Sequence, residues 1–208
     1  MPQPDFDLYL VSDRTLTQGR DICAIVEQAL DGGVKAVQLR EKDLNGKALF
    51  DLAKKIAVLC QRYHAQLFIN DRIDVALAVD AAGVQLGKTS LPISTARHLL
   101  GAKKLIGFSS HGVEEALAAE QRGADFILFG PVYFTPSKAP YGAPQGLPAL
   151  KELVEKVALP VYAIGGITAA KLAATMITGA RGVALISAII SAEDPSAAAK
   201  TILTKLAR

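Results

Sequence analysis

Short apolar runs and amphipathic segments alternate along the whole chain. The apolar runs have the length of buried strands, and the segments between them carry apolar residues at helical spacing. The last predicted helix begins at Asp194-Pro195, where an N-cap residue precedes a proline in the first turn. The eight predicted strands are Leu8–Asp13, Ala36–Arg40, Gln66–Ile69, Gly83–Gly87, Lys104–Phe108, Phe126–Phe129, Pro160–Ile164 and Gly182–Ser187.

The order of these elements predicts the fold class. Strands separated by helices form parallel sheets, and eight such units in 208 residues predict a single (β/α)8 TIM barrel over residues 1–208. An open doubly wound sheet is the alternative. That fold favours a glycine-rich turn after the first strand, whereas this chain has Asp13-Arg14-Thr15 there.

Composition narrows the choice of partners and of compartment. The net charge is only +3, and no stretch is a basic run, which argues against a nucleic-acid partner. No apolar run reaches the roughly 18 residues of a membrane span, and no signal peptide is evident, so we expect a cytoplasmic protein. Cys23 and Cys60 lie in apolar helical patterns and are expected to be buried free thiols. The oligomeric state stays open, with a homodimer among the candidates.

The second predicted strand carries an unusual polar face. Gln38, Arg40 and Lys42 follow one another at a spacing of two, so in a strand they would project to the same side. Because unpaired charges are costly to bury, this face predicts an anionic ligand. The alternative is a strand end in solvent, with Arg40 and Lys42 paired to neighbouring acids.

The active site of such a barrel lies at the carboxyl ends of its strands. These ends carry cations, hydroxyls and glycines with few acids, which favours a phosphorylated substrate over a sugar or a peptide. The residues expected there are Asp13, Gln38, Arg40, Lys42, Asn70, Asp71, Lys88, Thr89, Ser90, Ser109, His111, Thr135, Ser137, Lys138, Gly165, Gly166 and Ser187.

Two anion sites are expected among these residues. Gly165-Gly166 and Ile186-Ser187-Ala188 stand where such barrels often bind phosphate, although the glycines could serve only a tight turn. A second anionic group would then lie near Arg40, Lys42 and Lys138. Asp71 could hold Mg²⁺ against it, the alternative being that Asn70-Asp71 only caps a helix. His111 is expected to cap or pack, because no triad partners accompany it.

Taken together, the motifs resemble those of the thiamine phosphate synthase family and run in order along nearly the whole chain. The matching segments are Val37–Lys42, Ile69–Arg72, Gly107–Ser109, Gly130–Tyr133 with Thr135, Ser137 and Lys138, Ala163–Ile167, and Ile186–Ala188.

The resemblance implies a transferase that joins hydroxymethylpyrimidine diphosphate to thiazole phosphate, forming thiamine phosphate and pyrophosphate, with Mg²⁺ at Asp71. It implies that Arg40, Lys42, Lys138 and Ser109 take part in catalysis. The diphosphate would be held by Gln38, Arg40, Lys42, Asn70 and Lys138, with Ser109 near the pyrimidine. The thiazole phosphate would be held by Thr135, Ser137, Gly166, Ile186 and Ser187.

One position departs from the family pattern. The family usually has a second Mg²⁺-binding aspartate after the fourth strand, where this chain has Ser90. Either Asp71, water and phosphate hold the metal, or Lys88 partly replaces it, or activity is weakened. The alternatives are a related thiazole tautomerase, which has a histidine at the position of Pro131 and lacks the Asn70-Asp71 pair, and a non-catalytic binder of thiazole or thiamine phosphate.

Overall fold

The computed structural model describes residues 4–135 and 143–207, and its strands close into a parallel barrel. Each strand pairs with the next in chain order, and the first pairs with the last. This topology confirms the predicted (β/α)8 barrel. The strands are β1 Leu8–Val11, β2 Ala36–Leu39, β3 Gln66–Asn70, β4 Gly83–Leu86, β5 Leu105–Ser110, β6 Phe126–Phe129, β7 Val161–Ile164 and β8 Gly182–Leu185.

Helices surround the barrel and bury their apolar stripes against it. The side chains of Asp21, Asn45 and Asp194 each accept a hydrogen bond from a backbone N–H in the first turn of a helix. In the part of the chain that the structure describes, no helix is long and apolar enough to cross a membrane. The helices are α1 Ile22–Asp31, α2 Gly46–Arg62, α3 Ile73–Ala78, α4 Ile93–Leu100, α5 Val113–Gln121, α6 Gly146–Lys156, α7 Leu172–Met176, α8 Ser187–Ile190 and α9 Pro195–Leu206.

Element boundaries differ from the predictions where side chains compete with the backbone. The first strand ends at Val11, because Ser12 turns its hydroxyl toward the next strand's loop. Helix α7 begins at Leu172, because the preceding residues form a separate turn in which the carbonyl of Thr168 accepts the N–H of Lys171. Apolar periodicity therefore located each element, but local hydrogen bonds set its ends.

Five aromatic rings fill the barrel from its amino-terminal end. They form an aromatic plug in which the Phe6 and Tyr162 rings stack with centroids 4.7 Å apart. The Tyr162 hydroxyl donates to the carbonyl of Phe6 at 2.8 Å, which satisfies the polar atom inside this apolar layer. The members of the plug are Phe6, Tyr9, Phe68, Phe126 and Tyr162.

Above the plug, the inward face of the barrel divides into two halves. On β6, on β7 and directly after β8 the inward residues are apolar, namely Leu128, Ile164 and Ile186. Leu128 belongs to the same buried cluster as the plug, and the two isoleucines pack against that cluster. On β2 to β5 they are polar, and we call this set the polar arc. Its members, which follow the inward positions of Ala36, Phe68, Gly83 and Gly107 by two residues, are Gln38, Asn70, Gln85 and Ser109.

The two cysteines are free thiols. Cys60 is buried, and burial raises its pKa to about 12. Cys23 is half-buried, which corrects the expectation that both are fully buried. Because the thiolate is the reactive form, the Cys60 thiol is inert at neutral pH.

Candidate functional site

The end of β2 differs from a simple alternating strand. The strand stops at Leu39, and Lys42 lies exposed in the turn that follows. Glu41 is buried, with 6% of its surface exposed, while Arg40 is half-buried. The alternation of a strand therefore ends at Leu39, and Lys42 lies in the turn that follows.

Glu41, the acid between these two cations, is hydrogen-bonded to the loop after β1. Ser12 donates to Glu41 Oε1 at 2.6 Å, and the backbone N–H of Arg14 donates to Glu41 Oε2 at 3.1 Å. Burial raises the pKa of Glu41, and these two donors offset part of the rise. Among the described residues, neither Arg40 nor Lys42 makes a side-chain ion pair or hydrogen bond. In the described part of the chain, Arg40 and Lys42 are therefore not paired to neighbouring acids, contrary to the alternative considered from the sequence.

Gln38 brings an unsatisfied donor into the polar arc. Only 2% of its surface is exposed, and its Nε2 has no hydrogen-bond partner among the described residues. A buried donor without a partner costs about 1–3 kcal/mol. An acceptor on a bound ligand would remove that cost, so Gln38 is prepared to bind a polar group.

A line of hydrogen bonds joins the plug to the rest of the polar arc. The Tyr9 hydroxyl lies 3.5 Å from Gln85 Oε1, and Gln85 Nε2 donates to Ser109 Oγ at 3.0 Å. Burial raises the pKa of Tyr9 well above its usual value, so the hydroxyl stays protonated. Since Ser109 Oγ already accepts from Gln85, its own proton is available for an acceptor on a ligand.

Replacing Gln85 with leucine is expected to destabilise the barrel by about 1–3 kcal/mol, because the buried Tyr9 hydroxyl loses the acceptor Gln85 Oε1. Urea denaturation measures the loss. In the double variant Tyr9→Phe/Gln85→Leu the cost should fall well below the sum of the single costs, since both polar partners are gone. Additive costs would mean that the Tyr9–Gln85 contact contributes nothing.

Asp71 lies at the end of β3 in a strained backbone conformation, with φ at +60°. Asn70 Nδ2 donates to its Oδ2 at 2.7 Å, and the Ser90 hydroxyl donates to its Oδ1. Ser90 Oγ in turn accepts from the backbone N–H of Gly87 at 2.7 Å. The residue that departs from the family pattern thus lies directly beside the predicted metal ligand. The carboxylate is also oriented by two donors rather than serving only as a helix cap.

Lys88 and His111 contact residues other than Asp71 and Ser90. Lys88 is largely exposed, with its Nζ 3.8 Å from Glu115 on α5. A His111 ring nitrogen lies 2.5 Å from the carbonyl of Gly130, and its backbone N–H donates to Glu115. These contacts agree with the capping role expected of His111.

The glycines after β7 accommodate the chain that follows β6. Gly165 and Gly166 have φ of +100° and +64°, which other residues rarely adopt. A Cβ at Gly166 would lie 2.4 Å from the carbonyl oxygen of Phe134. Lys171 Nζ donates to the carbonyl of Gly166 at 2.9 Å and lies 4.5 Å from the Tyr133 ring centroid, which joins the two loops. The glycines therefore make a tight turn and also bring a cation to this side of the mouth.

The last strand leads directly into a short helix. Ser187 is exposed at the start of α8, and Ile186 is the half-buried residue before it. Arg20 holds the other end of α8 through hydrogen bonds to the carbonyls of Ile190 and Ala192, at 2.8 and 2.7 Å. Thr135 is half-buried at the end of the first described range. Ser137 and Lys138 lie outside the described residues.

Sequence reasoning missed four residues around this site. Gln85 carried a readable signal, since it interrupts an apolar strand in the same way as Gln38. Ser12, Arg14 and Glu41 carried none, because their roles depend on two loops that are distant in the chain and adjacent only in the barrel.

The fold and this site define a class: a (β/α)8-barrel enzyme whose mouth offers cations, amides and hydroxyls to small phosphorylated ligands. Residues 8–189 match the family model for thiamine monophosphate synthase. A protein of Geobacter sulfurreducens is 51% identical over 206 residues, which is 99% of this chain and 97% of that one. The thiamine-phosphate synthase of Desulfitobacterium hafniense is 46% identical over 96% of both chains. The chain belongs to the thiamine monophosphate synthase family.

Solved structures agree with this assignment. Thiamine phosphate pyrophosphorylase from Pyrococcus furiosus superposes with a TM-score of 0.89 at 38% identity, covering 97% of this chain and 96% of the other. A 3-hexulose-6-phosphate synthase superposes with a TM-score of 0.70 at 21% identity, a likeness that concerns the fold alone. The predicted family, its transferase class and its activity in thiamine phosphate synthesis are confirmed.

Proposed function

We propose that the chain condenses hydroxymethylpyrimidine diphosphate with thiazole phosphate, releasing pyrophosphate, at the mouth of the barrel. The observation that carries this proposal is the pair Arg40 and Lys42, cations without described acidic partners beside the polar arc. Two cations without acidic partners favour an anionic ligand, and a diphosphate supplies one. The free thiols Cys23 and Cys60 suit a reducing compartment, which supports a cytoplasmic location.

The polar half of the mouth would bind the pyrimidine substrate. In this proposal Arg40, Lys42, Asn70 and the undescribed Lys138 hold the diphosphate. Gln38 offers its unsatisfied Nε2 to a polar atom of the same substrate, and Ser109 offers its free proton to the pyrimidine. Buried polar groups of this kind reject substrates that leave them unpaired.

The other half would bind the thiazole substrate. Ile164 and Ile186 offer an apolar surface to the ring. The phosphate would be bound by Gly166, Ile186 and Ser187 with Thr135 and Ser137, and Lys171 adds a positive charge at Gly166. The two substrates would therefore meet across the mouth, each with its anionic group directed to its own loops.

Mg²⁺ is part of the proposal, and Asp71 is the residue that would bind it. Within residues 4–135 and 143–207, no cluster of three or more histidine, cysteine or acidic side chains could hold a metal alone. Asp71 offers one carboxylate, oriented by Asn70 and Ser90. This set fits Mg²⁺, which takes one or two carboxylates and fills its shell with water and substrate phosphates. When bound, the ion would neutralise charge on the departing pyrophosphate.

The chain's own part in the reaction would be electrostatic. The bond between the pyrimidine methylene and the diphosphate oxygen breaks, its electron pair leaves with the pyrophosphate, and the thiazole nitrogen attacks the methylene carbon. Arg40 and Lys42 stabilise the negative charge that develops on the leaving group. No nucleophilic side chain is needed, so the residues bind, orient and stabilise charge.

Restoring an acid with Ser90→Asp is expected to lower the Mg²⁺ concentration for half-maximal activity by about 3- to 10-fold, through a second carboxylate beside Asp71. When a chelator removes Mg²⁺, the new carboxylate and that of Asp71 repel each other. The melting temperature of the variant should therefore fall, and it should recover when Mg²⁺ is added. Titrations of activity and of melting temperature with Mg²⁺ measure both effects. Ser94→Asp, an exposed site on α4, is the control. An unchanged Mg²⁺ titration would place Ser90 away from the metal.

A steady-state assay with both substrates and Mg²⁺ tests the proposal as a whole. Thiamine phosphate and pyrophosphate should form in equal amounts, at a rate of about 1 s⁻¹ or above, within the common enzymatic range. Tautomerised thiazole without condensation would support the tautomerase alternative. Tight binding of thiazole phosphate without turnover would support the binder.

A further inference from the structure

The segment after β2 alternates in charge, and this alternation would weaken a diphosphate site. Arg40 and Lys42 are separated by Glu41 and followed by Asp43. Acids so close in sequence could pair with the cations and cancel their charge. The cations stay unpaired because another residue occupies both acids.

That residue is Arg14, from the loop after β1. Its Nη2 donates to Asp43 Oδ2 at 2.6 Å, and its Nε lies 3.4 Å from Glu41 Oε2, within ion-pair distance. Its backbone N–H adds a hydrogen bond to Glu41. About a third of the Arg14 side chain is exposed. Its contact with Glu41 is screened from water because that carboxylate is buried, whereas its contact with Asp43 is exposed to solvent.

The same contacts fix the backbone that carries Arg40. Ser12 Oγ donates to Glu41 and accepts the backbone N–H of Arg40 at 2.9 Å. Glu41 is thereby held toward the loop after β1, while the side chains of Arg40 and Lys42 pair with no described acid. Within residues 40–43, the two acids therefore contact Arg14, while the two cations contact no described acid.

We propose that Arg14 is a positioning residue that keeps the diphosphate site cationic, by occupying the carboxylates of Glu41 and Asp43 and so leaving Arg40 and Lys42 free for substrate. This inference rests on the proposed function, because it assumes that Arg40 and Lys42 bind the diphosphate. It adds a residue that itself touches no substrate.

Calorimetric titration of inorganic pyrophosphate in magnesium buffer tests the inference. Arg14→Gln should weaken pyrophosphate binding about tenfold. Asp43 loses its ion-pair partner, and Glu41 loses the neighbouring guanidinium charge while keeping its hydrogen bonds to Ser12 and to the backbone N–H of Arg14, so the negative charge of both acids acts on the cations. The effect should fall on pyrophosphate and on the KM of the pyrimidine substrate, while the KM of thiazole phosphate stays unchanged. Arg62→Gln, which breaks an exposed ion pair with Glu27 on the outer helices, is the matched control and should bind as the wild type does.

A second substitution distinguishes the effect of the released acidic charge from a structural effect of losing the Arg14 side chain. Adding Asp43→Asn to Arg14→Gln removes one of the released acids and should return pyrophosphate affinity to within about threefold of the wild type. Arg14→Lys keeps the charge and should also stay near the wild type, which covers the case in which Arg14→Gln fails to fold. Wild-type affinity in Arg14→Gln, or a loss that Asp43→Asn does not relieve, would overturn the inference. A wild-type chain that binds no pyrophosphate would instead overturn the proposed diphosphate site.

Discussion

Arg40→Ala is expected to reduce turnover by at least about 10³-fold, since removal of one group that stabilises charge on a leaving phosphate has effects of this size. Arg40 is half-buried at the end of β2, its backbone is fixed by Ser12, and its side chain has no described acidic partner. The loss should therefore appear in kcat as well as in the KM of the pyrimidine substrate, because charge on the leaving group grows in the transition state.

Single-turnover kinetics with both substrates measure this effect apart from product release. Arg40→Lys should restore part of the rate, because it returns the charge without the two-pronged geometry. Arg181→Ala is the matched control. Arg181 is an exposed arginine that pairs with Asp7 at the amino-terminal end of the barrel, and its loss should leave turnover unchanged. Normal turnover in Arg40→Ala would remove β2 from the diphosphate site.

Gly166→Ala is expected to raise the KM of thiazole phosphate about 10- to 100-fold, the range for losing one hydrogen bond to a charged group. Its φ of +64° disfavours any side chain, and the new Cβ would lie 2.4 Å from the carbonyl oxygen of Phe134. Because this neighbour is backbone, the turn must move, and the N–H groups and Lys171 contact that it carries must move with it. The KM of the pyrimidine substrate should change little.

Gly101→Ala separates the steric effect from backbone strain. Gly101 also has a positive φ, +71°, but a Cβ there would meet nothing within 4 Å, and it lies before β5, far from the mouth. This variant should lose about 1–2 kcal/mol of stability and keep both KM values. Thermal denaturation and steady-state kinetics on the two variants make the comparison. Equal KM values for thiazole phosphate in both would mean that Gly166 only shapes a turn.

The sequence alone determined the fold of this protein. The alternation of short apolar runs with helical stripes is a local property, and eight repeats of it leave few parallel architectures. It also predicted where the candidate site residues lie, since strand ends must meet at one mouth once the barrel is closed. Gln38, Asn70 and Asp71 could therefore be selected before any coordinates were known. The departure at Ser90 was readable too, because it is a matter of residue type at a known place in the motif order.

Tertiary structure decided which of these groups are free and which are paired. Arg40, Glu41, Lys42 and Asp43 give a charge pattern that permits either mutual pairing or a free cationic pair. Only the approach of Arg14 from the neighbouring strand's loop chooses the second arrangement. The pairing of charges depends on distances between segments far apart in the chain, and these distances exist only when β1 lies beside β2 in the closed barrel.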